Sequence, residues 1–216
     1  MKLYGYWRSS ATYRVRLALN LKGIEYQYEP VHLVKNGGEQ YSGKYQALNP
    51  AQLVPTLVDE KEAVTLNQSL AIIEYLEEAF PESPPLISGS ARQKALIRTI
   101  AYDVACDTQP IANLRVLNYV AKDLAQGDAG KVAWAKHWIA KGLASLETRI
   151  APTSGLFCVG DEVSLADVCL IPQVYNAERF NIDLSPFPTI KRVAEHCNFQ
   201  PAFIQALPEN QPDAAE

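Results

Sequence analysis

The stretch Tyr6-Trp7-Arg8-Ser9-Ser10-Ala11-Thr12-Tyr13-Arg14 concentrates the side chains best suited to chemistry on an anion. Ser9, Ser10 and Thr12 bring hydroxyls, and Arg8 and Arg14 bring cations. An apolar run, Lys2 to Tyr6, leads in, and an apolar segment of helical length, Thr12 to Lys22, leads out. A strand that turns tightly into a helix leaves the first backbone N–H groups of that helix without partners. The helix dipole adds partial positive charge at the same place. Such a seat suits an anion, a thiolate included. The cysteines, Cys106, Cys158, Cys169 and Cys197, all lie far downstream. Sulfur chemistry at this seat therefore requires a sulfur brought by a ligand. A plain N-cap role is the alternative for either serine.

Two further stretches fit the same picture. A cis bond between Val54 and Pro55 would leave the Val54 backbone N–H and C=O free to pair with an extended peptide. An ordinary edge proline is the alternative. Gln68-Ser69 opens another helix and makes a second anion seat, suited to a carboxylate, with N-capping again the alternative. Two such seats joined by a backbone docking edge fit a small anionic thiol peptide. Arg8, Arg115 and Arg179 carry fork-shaped guanidinium groups that match carboxylates, or else serve as solvated charges, as Arg98, Arg149 and Arg192 do in this reading. His32, His137 and His196 are scattered without ligand spacing, so no metal is expected. Trp134 and Trp138, four apart on one helix face, read as core packing.

The elements that must position these residues follow from periodicity and punctuation. Lys2 to Tyr6 reads as a strand. Thr12 to Lys22 reads as a mostly buried helix with Arg16, Asn20 and Lys22 as its narrow wet stripe, and Gly23 as its C-cap. Glu25 to Val31 alternates as a strand does. Strand, helix and strand in about thirty residues imply a parallel pair. Lys35 to Gly38 and Leu48 to Pro50 are loops. Val58 and Val64 flank the polar tip Asp59-Glu60-Lys61-Glu62, a hairpin signal. A helix follows Gln68, and the prolines of Pro81 to Pro85 close the unit. Beyond them the pattern is helical: Ala91 to Cys106, Ile111 to Leu124 and Ala129 to Ile150. A further helix to about Glu178 is announced by the capping box Ser164-Leu165-Ala166-Asp167. The tail after Leu207 is polar and reads as loosely ordered. The expected class is α/β plus all-α: a thioredoxin-like domain over 1–82, ordered β-α-β-α-β-β-α, then an α-helical bundle over 87–216.

With 48% hydrophobic residues in 216, the chain can build a substantial core. A net charge of −4 argues against nucleic acid as the main partner. The cysteines show no pairing pattern and read as buried thiols of a reducing compartment. No apolar run reaches the length of a membrane helix, and no leader precedes the first strand. A soluble cytoplasmic protein is the expectation.

Several motifs, taken together, resemble the zeta class of glutathione transferases, which includes maleylacetoacetate and maleylpyruvate isomerases. They are Ser9-Ser10 with Arg14-Val15-Arg16 and Ala18-Leu19; Ala47-Leu48-Asn49-Pro50; Val54-Pro55-Thr56-Leu57; Gln68-Ser69-Leu70-Ala71-Ile72-Ile73-Glu74-Tyr75-Leu76; and Pro172-Gln173-Val174 with Asn176-Ala177-Glu178-Arg179-Phe180. The resemblance implies a homodimeric, glutathione-dependent cis–trans isomerase acting on a small dicarboxylate. It places the 9–14 stretch, with Ser9, Ser10 and Arg14 as its catalytic members, at the thiol end. It gives Gln40, Val54, Pro55, Gln68 and Ser69 to the glutathione backbone and γ-glutamyl group, and adds Gln109 and Asn113 from the helical part. Arg8, Arg115 and Arg179 are the candidates for the substrate's carboxylates. The usual Ser-Ser-Cys motif departs to Ala11 here, so no protein cysteine is offered to the reaction. A conjugating transferase or haloacid dehalogenase, or a glutathione-binding protein without turnover, are the competing readings on the same scaffold.

Overall fold

Leu3 and Gly5 point inward from the first strand, β1 (Lys2–Gly5), and Leu3 is fully buried. The computed structural model describes residues 1–214. It adds β2 (Gln27–Pro30), β3 (Thr56–Asp59) and β4 (Val64–Asn67) in one sheet of order β2-β1-β3-β4. β1 runs parallel to β2 and antiparallel to β3, and β3 and β4 form the hairpin that the polar tip signals. Register decides where the loops gather. Gly5 lies opposite Pro30, Tyr4 opposite Thr56, and Thr56 opposite Asn67. The ends of β1, β2 and β4 and the start of β3 therefore share one edge of the sheet. The Tyr6–Ser9 turn, the loop after β2, the segment ending in Pro55 and the Gln68-Ser69 pair all emerge there.

Helix α1 (Ser10–Leu21) packs closely on β1 because Gly5 has no side chain; a Cβ there would sit 2.2 Å from Thr12 Cγ2. Its end is closed by Gly23 at φ +67, with Gly23 N–H to Asn20 O at 3.1 Å and Ile24 N–H to Leu19 O at 2.9 Å. The expected wet stripe is corrected. Arg16 is fully buried and Lys22 is 5% exposed. Lys22 Nζ pairs with Glu77 Oε1 at 2.7 Å, and Arg16 donates to backbone carbonyls. A buried cation is tolerated only when so partnered. A one-turn α2 (Gly43–Gln46) and α3 (Ser69–Ala79) complete this part of the chain.

Two compact units result: Met1–Pro85 with the segment from Gln200 onward, and Leu86–Phe199. The last segment thus belongs with the sheet, not with the helical part to which the sequence reading assigns it. The reason is α9 (Pro201–Ala206), whose Ala202 and Ala206 carbonyls accept from Asn20 and Arg16. Nor is the tail loose, since Gln211 and Asp213 are buried.

The second unit is helical. α4 (Ala91–Tyr102) passes into a π-helical turn, Asp103–Thr108, instead of continuing as α-helix to Cys106. A short 3₁₀ turn, Pro110–Ala112, then leads to α5 (Leu114–Lys122). α6 (Gly127–Ile150) buries Ala135, Ile139, Leu143, Leu146 and Ile150 as one stripe. α7 (Leu165–Arg179) starts at the expected box: Asp167 Oδ2 accepts Ser164 N–H at 2.9 Å, and Oδ1 accepts Cys158 N–H at 2.8 Å. α8 (Pro188–Asn198) follows. Cys158, Cys169 and Cys197 are buried as expected, but Cys106, in the π-helical turn, is exposed.

Candidate functional site

Ser9 and Ser10 divide the roles that the sequence leaves open between them. Ser9 is the N-cap of α1: its Oγ accepts the Thr12 N–H at 3.2 Å, and its carbonyl accepts the Tyr13 N–H at 2.8 Å. Ser10 is the first helical residue, half-buried, and no hydrogen bond among the described residues uses its amide or that of Ala11. Two open donors and one uncommitted hydroxyl therefore stand at the positive end of a twelve-residue helix. Thr12 and Tyr13 do not join them with their side chains. Thr12 is fully buried against Gly5, and Tyr13 is 1% exposed, with the Arg16 guanidinium 5.2 Å from its ring centroid. Arg14 is buried as well. Arg8 lies over the Trp7 ring at 4.6 Å and donates from Nη2 to the Tyr6 hydroxyl at 3.2 Å. Its buried Nε has no partner among the described residues.

The Val54-Pro55 bond is cis. The preceding Leu53 carbonyl is fixed by the Tyr45 hydroxyl and by Asn49 Nδ2, each at 2.7 Å. No hydrogen bond among the described residues uses the Val54 amide. Gln68 occupies the N-cap position of α3 at φ +71 and makes no capping bond with its side chain. A non-glycine residue held in that region is uncommon, and such residues gather at functional sites. Ser69 beside it is 5% exposed. Gln40 sits on a 3₁₀ turn, Glu39–Tyr41, buried, with its Oε1 unpaired among the described residues. Its amide lies over Gly38, where a Cβ would meet it at 2.7 Å. Ser10, Val54, Gln68 and Ser69 thus leave from the one sheet edge, and Gln40 stands on the loop that follows β2 from that edge.

The other candidates lie in the second unit. Gln109 follows the π-helical turn, and both atoms of its buried amide lack partners among the described residues. Asn113 caps α5, its Oδ1 accepting the Val116 N–H at 3.1 Å, which is the structural alternative for this residue. Arg115 is exposed in the first turn of α5. Arg179 ends α7 with its guanidinium 5.0 Å from the Phe180 ring centroid.

Sequence reasoning missed three supports. His32 is the hub of the loop after β2: its Nδ1 accepts the Val34 and Lys35 amides at 3.2 and 2.8 Å, and its ring meets Tyr6 edge-on. Arg16 and Asp213 both reach Trp7, immediately before the seat. A histidine preceding an Asn-Gly-Gly loop hints at the first; nothing local marks the other two.

Family models for the glutathione S-transferase N-terminal domain and C-terminal domain match residues 3–84 and 110–201. A probable maleylacetoacetate isomerase of Vibrio cholerae is 50% identical over 98% of this chain and 97% of its own length. A maleylpyruvate isomerase of Ralstonia is 44% identical over the full length of both. Among solved structures, a maleylacetoacetate isomerase of Methylobacterium extorquens with bound malonate and glutathione superposes with a TM-score of 0.94. It is 39% identical and covers 99% of each chain.

Proposed function

The chain belongs to the zeta class of the glutathione S-transferase family, and on that premise we propose that it isomerises maleylacetoacetate to its trans isomer, fumarylacetoacetate, with glutathione as cofactor. The observation that carries this reading is the seat at the start of α1. It offers Ser10 and two open amides to an anion, and the Tyr6–Arg14 stretch around it contains no cysteine. Two further features of the first unit fit the rest of a thiol tripeptide: the unpaired, buried Gln40 Oε1 and an α3 start without a side-chain cap.

Held there, glutathione would supply a thiolate for reversible addition to the cis double bond. Ser10 donates its hydroxyl to that thiolate, and the Ser10 and Ala11 amides add to the same field, favouring ionisation of a thiol whose ordinary pKa is about 8.5. The Val54 backbone pairs with the extended peptide, and the first turn of α3 with Ser69 receives the γ-glutamyl carboxylate. Gln68 orients that turn, and Gln40, Gln109 and Asn113 satisfy further polar groups of the cofactor. Arg8, Arg115 and Arg179 bind the carboxylates of the diacid. Ala11 removes a side chain the mechanism does not need. Maleylpyruvate as substrate is the second reading, favoured by full-length similarity to an isomerase of that name. A homodimer and a cytoplasmic location complete the proposal; light scattering of the purified protein tests the first.

The test is turnover of both diacids with and without glutathione. Isomerisation that requires glutathione and returns it unconsumed supports the reading, and the ratio of kcat/KM values chooses the substrate. Stoichiometric loss of glutathione would move the chain to conjugating or dehalogenating chemistry.

A further inference from the structure

The terminal segment returns to the turn that precedes the thiolate seat. Asp213 is 1% exposed. Its Oδ2 accepts the Trp7 N–H at 3.0 Å and the Tyr28 hydroxyl at 3.4 Å. The carbonyl of the same Trp7 accepts Arg16 Nη2 at 3.1 Å. Arg16 is itself held by the Ala206 carbonyl, which accepts from Nε at 3.1 Å and from Nη2 at 3.0 Å. Both backbone polar groups of Trp7 are thus tied by buried charged side chains, one from α1 and one from the terminal segment. Trp7 occupies the second position of a four-residue turn closed by Ser9 N–H to Tyr6 O at 2.9 Å. Fixing Trp7 therefore fixes where Ser9 caps α1 and where Ser10 stands.

Packing alone does not call for this arrangement. Asp213 Oδ1 and Arg16 Nη1 are buried without hydrogen-bond partners among the described residues. Burying charged groups that are only partly satisfied is costly, and an apolar residue would close the same surface at less expense. What the carboxylate supplies, and an apolar side chain cannot, is an acceptor for the Trp7 amide.

We propose that Asp213 is a positioning residue of the thiolate seat: by accepting the Trp7 N–H it holds the Tyr6–Ser9 turn so that Ser10 and the open α1 amides meet the cofactor's sulfur. The proposal rests on the glutathione reading above, and its first test does not. In the intact, ligand-free chain, Asp213→Ala speeds hydrogen exchange of the Trp7 and Ser9 amides, the two hydrogen-bonded donors of the turn, by about tenfold, the loss expected for one well-made hydrogen bond. Asp213→Asn keeps an acceptor oxygen and stays within about threefold of the parent. Unchanged exchange in Asp213→Ala overturns the proposal.

With glutathione bound, Asp213→Ala shifts the thiolate absorbance curve to higher pH. It lowers kcat about tenfold with KM for the diacid within about twofold, because misplacement acts on reaction geometry more than on binding. Asp213→Asn rescues both. Ser164→Ala, which weakens the α7 cap within the second unit, serves as the control for lost stability. If it moves the thiolate curve as far at an equal fall in Tm, or if Asp213→Ala leaves that curve in place, the role is merely structural and the proposal fails. A parent protein that does not bind glutathione would sink the functional reading instead, and the exchange measurement would still decide whether Asp213 holds the turn.

Discussion

Two helices of this chain begin with the same sequence signal and end in different chemistry. α1 follows Ser9 and α7 follows Ser164, each serine capping its helix through Oγ. Three residues on, the first has Thr12 and the second Asp167. Asp167 reaches back to the Ser164 amide and hydroxyl and also takes the Cys158 amide, so every donor it meets is used inside a fully buried box. Thr12 turns away against Gly5, and the Ser10 and Ala11 amides stay open at a half-buried surface. A helix start with its own carboxylate is a structural joint. The same start without one leaves two helix amides open, as the proposed thiolate seat requires.

The comparison breaks most visibly when each start loses its key group. Asp167→Ala leaves three buried donors unpaired. It is expected to cost about 3 kcal/mol or more, lowering Tm by roughly 10 °C, with activity per folded molecule unchanged. Thermal melts and active-site titration check both halves. Ser10→Ala is expected to do the reverse: little change in Tm and a fall in kcat of about 10²-fold, the scale for one lost donor to developing charge. An unmoved thiolate-versus-pH curve would transfer that role to Ser9.

Smaller effects sharpen the same contrast. Arg179→Ala should raise KM for a dicarboxylate about tenfold and hardly affect a neutral thiol acceptor, consistent with one lost charge-assisted contact; equal losses on both substrates would remove Arg179 from carboxylate binding. Ser9→Ala should cost about 1 kcal/mol of stability as a lost cap, with less effect on kcat than Ser10→Ala. The smallest effect concerns pH. Burial pushes the Cys158 and Cys197 thiols up, with Asp167 adding to both, and burial likewise raises Tyr28. The folded state holds these protons more tightly than the unfolded chain does. Stability from them is full below the ordinary thiol value of about 8.5 and is lost as pH rises beyond it. Tm should fall progressively above that pH, and Cys197→Ala should flatten the decline.

Much of the architecture was legible because it is local. A short apolar run marked β1, alternation marked β2, the polar tip marked the β3–β4 hairpin, and a four-residue box marked the start of α7. What stayed hidden depends on partners far along the chain. Arg16 sits where periodicity places a wet stripe, but its acceptor, the Ala206 carbonyl, lies 190 residues away. Asp213 sits in a polar tail of a composition that usually frays, yet it is buried against Trp7. The π-helical turn at Asp103 interrupts an apolar rhythm that continues undisturbed in the sequence. At the seat, the residue types pointed to an anion. Only the cap geometry separated Ser9, which is spent on Thr12, from Ser10, which is not.

The proposed reaction turns on a borrowed sulfur, and the most direct measurement is the rate of diacid isomerisation by the purified protein as glutathione is withdrawn and restored. The expected rate falls to the uncatalysed level without glutathione and returns in full on its addition, with the tripeptide recovered unchanged. Undiminished turnover after exhaustive removal of glutathione would contradict it.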